Sequence, residues 1–541
     1  MEVISNVRVD HLGLVAGFAK EMKLADRIDA LVGVHPDEKV TVGESVVAMI
    51  INGLGFTDRP ISLVPQFFEN IPLDLLFREG VTHEDFNRFK LSRALDKIAE
   101  FGCEALFGQV ALESAKDFGV TRDALHFDTT SFSLTGEHLS DADEVAITVT
   151  KGYSKDHRPD LNQIVQELGC LSDGGVPLFM KMWNGNESDN KIFNDRAAEL
   201  AKHVRESDAA KAIVADSKFY SSGNSENMAL LPFITRAPET IKSVKSTIDK
   251  ALDDPLKWHH ACDKRDYQVF EVDELGIKQK WIVVFSKAAE ERAEGTIDKR
   301  LKREKEKIEK ALYHLQAQRF GCREDAQKEL NRVIKGWKLH MVTRANFKEH
   351  KKYPARGRPS QGETPSSVEY QVIVEFECNN EKVSRDKQRS QCYVLAAHSE
   401  LVTLSPEDII LTYSAQQNVE RGFRFLKDPH FFTSSLLIKS PRRLEALVTV
   451  MTLALLLYCY AQRRLRGELA KTNETLPNQI NQPTQSPTLR WVFQMLQGIS
   501  CITMRTSEGI QIIWTGLNEK RLKILSLFSH YVGSIYQISS A

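Results

Sequence analysis

The stretch L-H-F-D-T-T-S-F-S-L, Leu125 to Leu134, alternates apolar and polar residues and is rich in aromatic and β-branched side chains, the pattern of a strand. Asp128 stands inside it, where a carboxylate is disfavoured and needs a partner; a cation is the simplest one. Downstream, a strand over 162–171 leads through the turn S-D-G-G, Ser172 to Gly175, into a return strand over 176–183. Residues 190–203 have helical spacing, and K-A-I-V-A-D, Lys211 to Asp216, is a short buried strand ending in a second acid. A further helix and a strand over 231–236 follow. Strand with Asp, hairpin, helix, strand ending in Asp, helix, strand: that order fits a mixed sheet with helices on both faces. If the strands at 125–134 and 211–216 are parallel neighbours, Asp128 and Asp216 come together, and a divalent cation between them relieves their repulsion.

A third acid lies far along the chain. In Y-S-A-Q-Q-N-V-E-R-G-F-R-F-L-K, Tyr413 to Lys427, helical stepping puts Tyr413, Gln416, Glu420, Arg424 and Lys427 in one sector of about 80°. Val419, Phe423 and Leu426 form the adjoining apolar stripe, fit to pack on a sheet. Asp428-Pro429 disfavours further helix. One carboxylate among cations suits a ligand for a metal that holds phosphate; an ordinary solvated helix with a Glu–Arg pair is the other reading.

Length and composition bound the rest. A chain of 541 residues holds two to four domains. Its formal net charge of −1 gives no global field toward nucleic acid, so any such binding rests on local basic patches. The eight cysteines form no CxxC pair, which argues against a disulfide framework or a zinc site; His259, His260 and Cys262 lack a second ligand pair. No secretion signal opens the chain, and the uncharged run 446–462 is short for a membrane span. A buried core helix and a reducing cytoplasm are expected.

Residues 1–115 read as an all-α N-terminal domain. Lys90, Arg93 and Lys97 share one face of a helix over 86–101, placed to lie along a DNA backbone or simply to be solvated. Residues 238–405 read as a separate α+β insertion that does not continue the sheet, with paired strands at 269–272 and 280–285, a charged helical stretch over 287–333, and strands at 370–378 and 390–397. The core then spans 120–237 and 406–470, and 471–541 is a C-terminal region opening on a polar linker. Arg356 and Arg358 in a Pro/Gly/Ser loop have the form of a minor-groove hook. Trp258, Trp281 and Trp337 are core aromatics or platforms for an extruded base.

Together these residues resemble bacterial insertion-sequence transposases of the DDE class. The resemblance rests on F-D-T-T-S around Asp128, G-Y-S-K-D-H-R-P-D-L at 152–161, G-N-E-S-D at 185–189, V-A-D-S-K-F-Y around Asp216, F-I-T-R at 233–236, and the Glu420 stretch. The family's signature for that last piece is Y-x2-R-x3-E-x6-K; Tyr413, Glu420 and Lys427 keep the spacing, while Gln416 replaces Arg. The resemblance implies an α/β ribonuclease-H-like mixed-sheet core with an inserted α+β domain. It implies that Asp128, Asp216 and Glu420 bind two Mg²⁺ ions, with Mn²⁺ able to substitute, and catalyse cleavage at insertion-sequence ends and strand transfer. Tyr413, Gln416, Arg424, Lys427 and Arg236 would contact DNA, with Lys90, Arg93, Lys97, Arg356 and Arg358 as further candidates. The implied partners are double-stranded DNA, as terminal inverted repeats and target, and a second copy of the chain on paired ends, in a bacterial cytoplasm at the nucleoid and not in a membrane. A silent end-binding regulator and a ribonuclease-H-like repair nuclease are the competing readings.

Overall fold

The computed structural model describes residues 2–56, 59–135, 147–153, 158–188, 191–192, 195–197, 199, 211–262, 265–354, 361, 364–428 and 438–538. Its centre is one nine-stranded mixed sheet. In chain order its strands are β1 (Ala124–Leu134), β2 (Asn162–Leu171), β3 (Pro177–Trp183), β4 (Ala212–Ala215), β5 (Phe233–Arg236), β6 (His259–Cys262), β7 (Arg265–Glu274), β8 (Ile277–Ser286) and β9 (Cys392–His398). Across the sheet they run β3-β2-β1-β4-β5-β9-β8-β7-β6. The β1–β4 and β4–β5 pairs are parallel and the others antiparallel. All four residues of β4 are buried, as a parallel strand covered on both faces requires. The parallel adjacency on which the closeness of Asp128 and Asp216 depends is therefore present.

The insertion does not stand apart from the sheet as its sequence suggests. β6, β7, β8 and β9 extend the sheet beyond β5. The reason is legible in β8, where Trp281, Ile282, Val283 and Val284 are all buried: a run apolar on both sides fits only an interior position. The self-contained part is smaller. Two helices, Glu290–Ala317 and Arg323–Ile334, pack on a two-stranded sheet of His340–Lys352 and Ser367–Cys378 around their own cluster, which includes Ile308, Leu312, Leu330 and Val372.

The N-terminal part is helical, but not wholly so. Glu2–Arg8 is a strand paired with Ser500–Thr506 of the C-terminal region, and the Tyr536 hydroxyl donates to the carbonyl of Asp10 at 2.5 Å. The two ends of the chain thus form one packed unit. Thr41 and Glu44 make a capping box at the start of the helix Val42–Leu54. The Pro441–Thr472 helix is long and apolar enough to cross a membrane by length and composition, yet most of its apolar window is buried in the protein. It lies against the N-terminal helices and the sheet. All eight cysteines are free thiols.

Two glycines of the quoted motifs have a steric role. A Cβ on Gly152 would stand 2.0 Å from the carbonyl oxygen of Gly185, and one on Gly185 would stand 2.0 Å from that of Gln163. The Gln163 amide donates to Gly185 O at 2.7 Å and to Tyr153 O at 3.2 Å, so three backbones cross over one β2 side chain. Gly185→Ala should force them apart and destabilise the protein by about 3 kcal/mol, measured by urea unfolding; an unchanged midpoint would contradict this packing.

Candidate active site

Strand register places the acids. The β1–β4 register pairs Ala124 with Ala212 and His126 with Val214; Asp128 lies two residues further along β1 and Asp216 is the first residue past the end of β4, so the two acids stand toward the same end of neighbouring parallel strands. The β4–β5 register pairs Ala215 with Thr235, so one step on Arg236 stands beside Asp216. On the other side of β1, Asp128 pairs with Leu168. Leu168, Asp128, Asp216 and Arg236 therefore lie toward the end of the sheet where β4 stops, the carboxyl end at which α/β sheets hold ligands. Asp128 is half-buried and accepts from the Thr129 N–H at 2.7 Å. Asp216, also half-buried, accepts from the Lys218 N–H at 2.8 Å, while its carbonyl receives the Thr235 hydroxyl at 2.8 Å.

Glu420 arrives on a helix laid over the same face. The stretch 413–427 is not one helix: Pro406–Ser414 and Gln417–Leu426 meet in a tightened turn, where the N–H groups of Gln416, Asn418 and Val419 reach back three residues to Tyr413, Ala415 and Gln416. No proline or glycine marks that break; packing does. Ile409 and Ile410 are buried with Val214, Ile234, Ile282 and Leu395, whereas Val419, Phe423 and Leu426 join the larger core. A Cβ on Gly422 would lie 3.2 Å from Leu168 and from Leu455, so the helix sits down on the register partner of Asp128. Asn418 donates to Ser172 O at 3.3 Å and touches Gly175 of the β2–β3 turn, whose two glycines have φ of 74° and 66° and need no Cβ there.

Tyr413 is half-buried against the cluster of Val214 and Ile234. Its phenol is pushed up to about 12, chiefly by burial, with Arg236 opposing and the carboxylates of Asp216 and Glu420 adding to the rise. Arg236 lies over the Tyr393 ring at 5.4 Å and pairs with Glu239 at 2.7 Å. Gln416 is the first residue before the Glu420 helix, Arg424 is exposed, and the Lys427 ammonium stands 5.8 Å from the centre of the Phe132 ring. The donor set is all carboxylate oxygen, which suits a hard divalent cation. Among the described residues, no three acidic, histidine or cysteine side chains stand close enough to hold an ion by themselves.

Other candidates lie elsewhere. Lys90 is buried and paired with Glu38 at 3.1 Å; helical arithmetic puts it beside Arg93 and Lys97, but the neighbouring 35–41 loop closes over it. Arg93 is exposed, and so is Lys97, which pairs with Glu100 at 2.9 Å. Arg356 and Arg358 lie outside the described residues. Trp281 is fully buried and donates to Gln279 at 2.9 Å; Trp258 and Trp337 pack on Phe285 and Phe376. Trp281 is therefore a core residue, while Trp258 and Trp337 are half-buried.

Residues 121–457 match the family described as Transposase DDE domain, and residues 4–112 match a domain of unknown function (DUF4277). The first match spans more than half of the chain, which therefore belongs to the DDE transposase family. It is a DNA transposase, an enzyme that cuts and joins DNA strands, and enzymes of this family generally use a divalent metal. No curated protein matches the sequence. Among solved structures, a piggyBac transposase synaptic complex with hairpin DNA is similar at a TM-score of 0.37 and 9% identity, over 90% of this chain and 79% of that one.

Proposed function

We propose that the chain cuts at the ends of its own insertion sequence and transfers the freed strand to target DNA, through Asp128, Asp216 and Glu420 on a ribonuclease-H-like core. The observation that carries this reading is Asp128 on β1 and Asp216 just past the end of its parallel neighbour β4, with the Glu420 helix seated on Leu168, the register partner of Asp128. The strand order β3-β2-β1-β4-β5, with only the last two pairs parallel, is the arrangement this reading requires. The three carboxylates would hold two Mg²⁺ ions, which supply an activated water and a stabilised leaving oxygen. Their mutual repulsion argues that cation and DNA complete the set together.

The chain's own residues then divide the work. Asp128 and Asp216 are fixed by the strands and by backbone N–H groups, while Glu420 closes the site from the helix. Arg236, Arg424 and Lys427 neutralise phosphates, and Tyr413 orders the cut end by stacking or hydrogen bonding. No protein nucleophile is needed, because the attacking groups are water and a DNA 3′-OH. A homodimer on paired ends, acting at the nucleoid of a bacterial cytoplasm, completes the reading.

The test is incubation of the purified full chain with the DNA flanking its own gene, with and without Mg²⁺. Cut ends and joined products only with Mg²⁺ are expected. Binding without cutting under Mg²⁺ or Mn²⁺ would favour a silent regulator, and nicks without joined products a repair nuclease; either would contradict the proposal.

A further inference from the structure

Beside the Glu420 helix lies a cleft of about 660 Å³ with three walls. The helix Gln417–Leu426 contributes Arg421 and Arg424, the long helix Pro441–Thr472 contributes Arg466, and the segment 486–490 contributes Arg490. That segment closes what the sequence presents as a polar linker, and it is fixed rather than loose. The Arg490 N–H donates to the Tyr458 hydroxyl at 3.0 Å, the Leu489 N–H to Gln462 at 3.0 Å, and Arg466 to the carbonyl of Pro487 at 3.0 Å. Thr488 caps the short helix that follows.

Charge in this cleft is one-sided. Among the described residues its lining has four guanidinium groups and one carboxylate, Asp428, which pairs with Arg490. Half-buried Arg466 is held below its ordinary value, first by burial and also by the like charge of Arg421, with the neighbouring Tyr458 opposing. Exposed Arg421 has, among the described residues, a 3.5 Å contact with Asn418. Like charges gathered in a half-buried cleft call for an anion, and the planar guanidinium fork matches phosphate. Arg424 is one helical turn beyond Glu420, about 6 Å along the axis, or one to two nucleotides by the rise of a DNA strand.

We propose that this arginine cleft binds backbone phosphates of the DNA strand one to two nucleotides from the bond being cut, through Arg421, Arg466 and Arg490 in addition to Arg424. This rests on the transposase reading and extends it to residues that no helix-face argument selects. The contact is to phosphate alone, so it sets the register of the strand without reading its sequence.

The test is fluorescence anisotropy of the full chain with a labelled duplex of the DNA flanking its own gene, titrated with KCl in the absence of divalent metal. For R421Q/R466Q the slope of log affinity against log salt should be shallower than the parent's by about 1.8, two phosphate contacts at about 0.9 each. If circular dichroism shows that variant unfolded, the slope for Arg421→Gln alone, at an exposed helix position, should be shallower by about 0.9. A parent that binds and folded variants that keep its slope would overturn the cleft while leaving the transposase reading intact. A parent that ignores the duplex would overturn both.

Discussion

Asp216→Ala protein should bind transposon-end DNA about as tightly as the parent, yet cut it roughly 10³-fold more slowly or worse. The expected loss follows from what the acid does. A divalent ion at the reacting phosphate is worth several kcal/mol of charge stabilisation, and each 1.36 kcal/mol is tenfold in rate. Asp216 follows directly on β4, and its backbone carbonyl accepts the Thr235 hydroxyl independently of the carboxylate, so removing the carboxylate leaves the strand in place. The same outcome is expected for Asp128→Ala and Glu420→Ala. Their equivalence matters more than any single loss, because a set that holds ions together fails together. Gel assays for binding and cutting on one DNA preparation check it; a variant that still cuts would remove that residue from the site.

The largest effect on stability should come from Arg196→Ala, on the face of the sheet opposite the acids. Glu167, on β2 beside Thr129, is 2% exposed, and Arg196 at 3.0 Å and the Trp183 indole N–H at 2.9 Å hold it. Arg196, 7% exposed, also binds Glu104 and Glu199. Without the guanidinium, a buried carboxylate is left with one neutral donor, a loss of about 3–5 kcal/mol. Burial already pushes the Glu167 carboxyl up despite Arg196. A carboxyl raised above its unfolded value opposes folding when ionised, and that opposition fades as falling pH protonates it. The variant's deficit should therefore shrink from neutral pH toward acid, while Arg196→Met, which keeps the volume, shows the same trend. Urea unfolding across pH measures it; a deficit that grows in acid would contradict the assignment.

Much of the candidate site is legible in the sequence because each proposed acid interrupts a pattern. Asp128 breaks an alternating strand, Asp216 ends a buried one, and Glu420 stands between an apolar stripe and cations. What escapes is what depends on neighbours far along the chain. The W-I-V-V run of β8 shows burial on both faces but cannot say that β9 will join it to β5. The break at Ala415–Gln416 has no local signal, because it exists to let two short helices settle on different strands. Lys90 obeys helical arithmetic and still turns inward, since Glu38 waits in a loop some fifty residues earlier. Arg466 and Arg490 are invisible as a pair until the 486–490 segment folds back onto the long helix.

The most direct measurement is cutting by Asp216→Cys protein under two metals. A thiolate is a poor ligand for Mg²⁺ and a better one for the softer Mn²⁺, so if Asp216 touches the ion, the variant should be silent in Mg²⁺ and regain cutting in Mn²⁺, while the parent works in both. Equal activity of the variant in the two metals, or silence in both alongside intact DNA binding and folding, would contradict a cation held by these three acids.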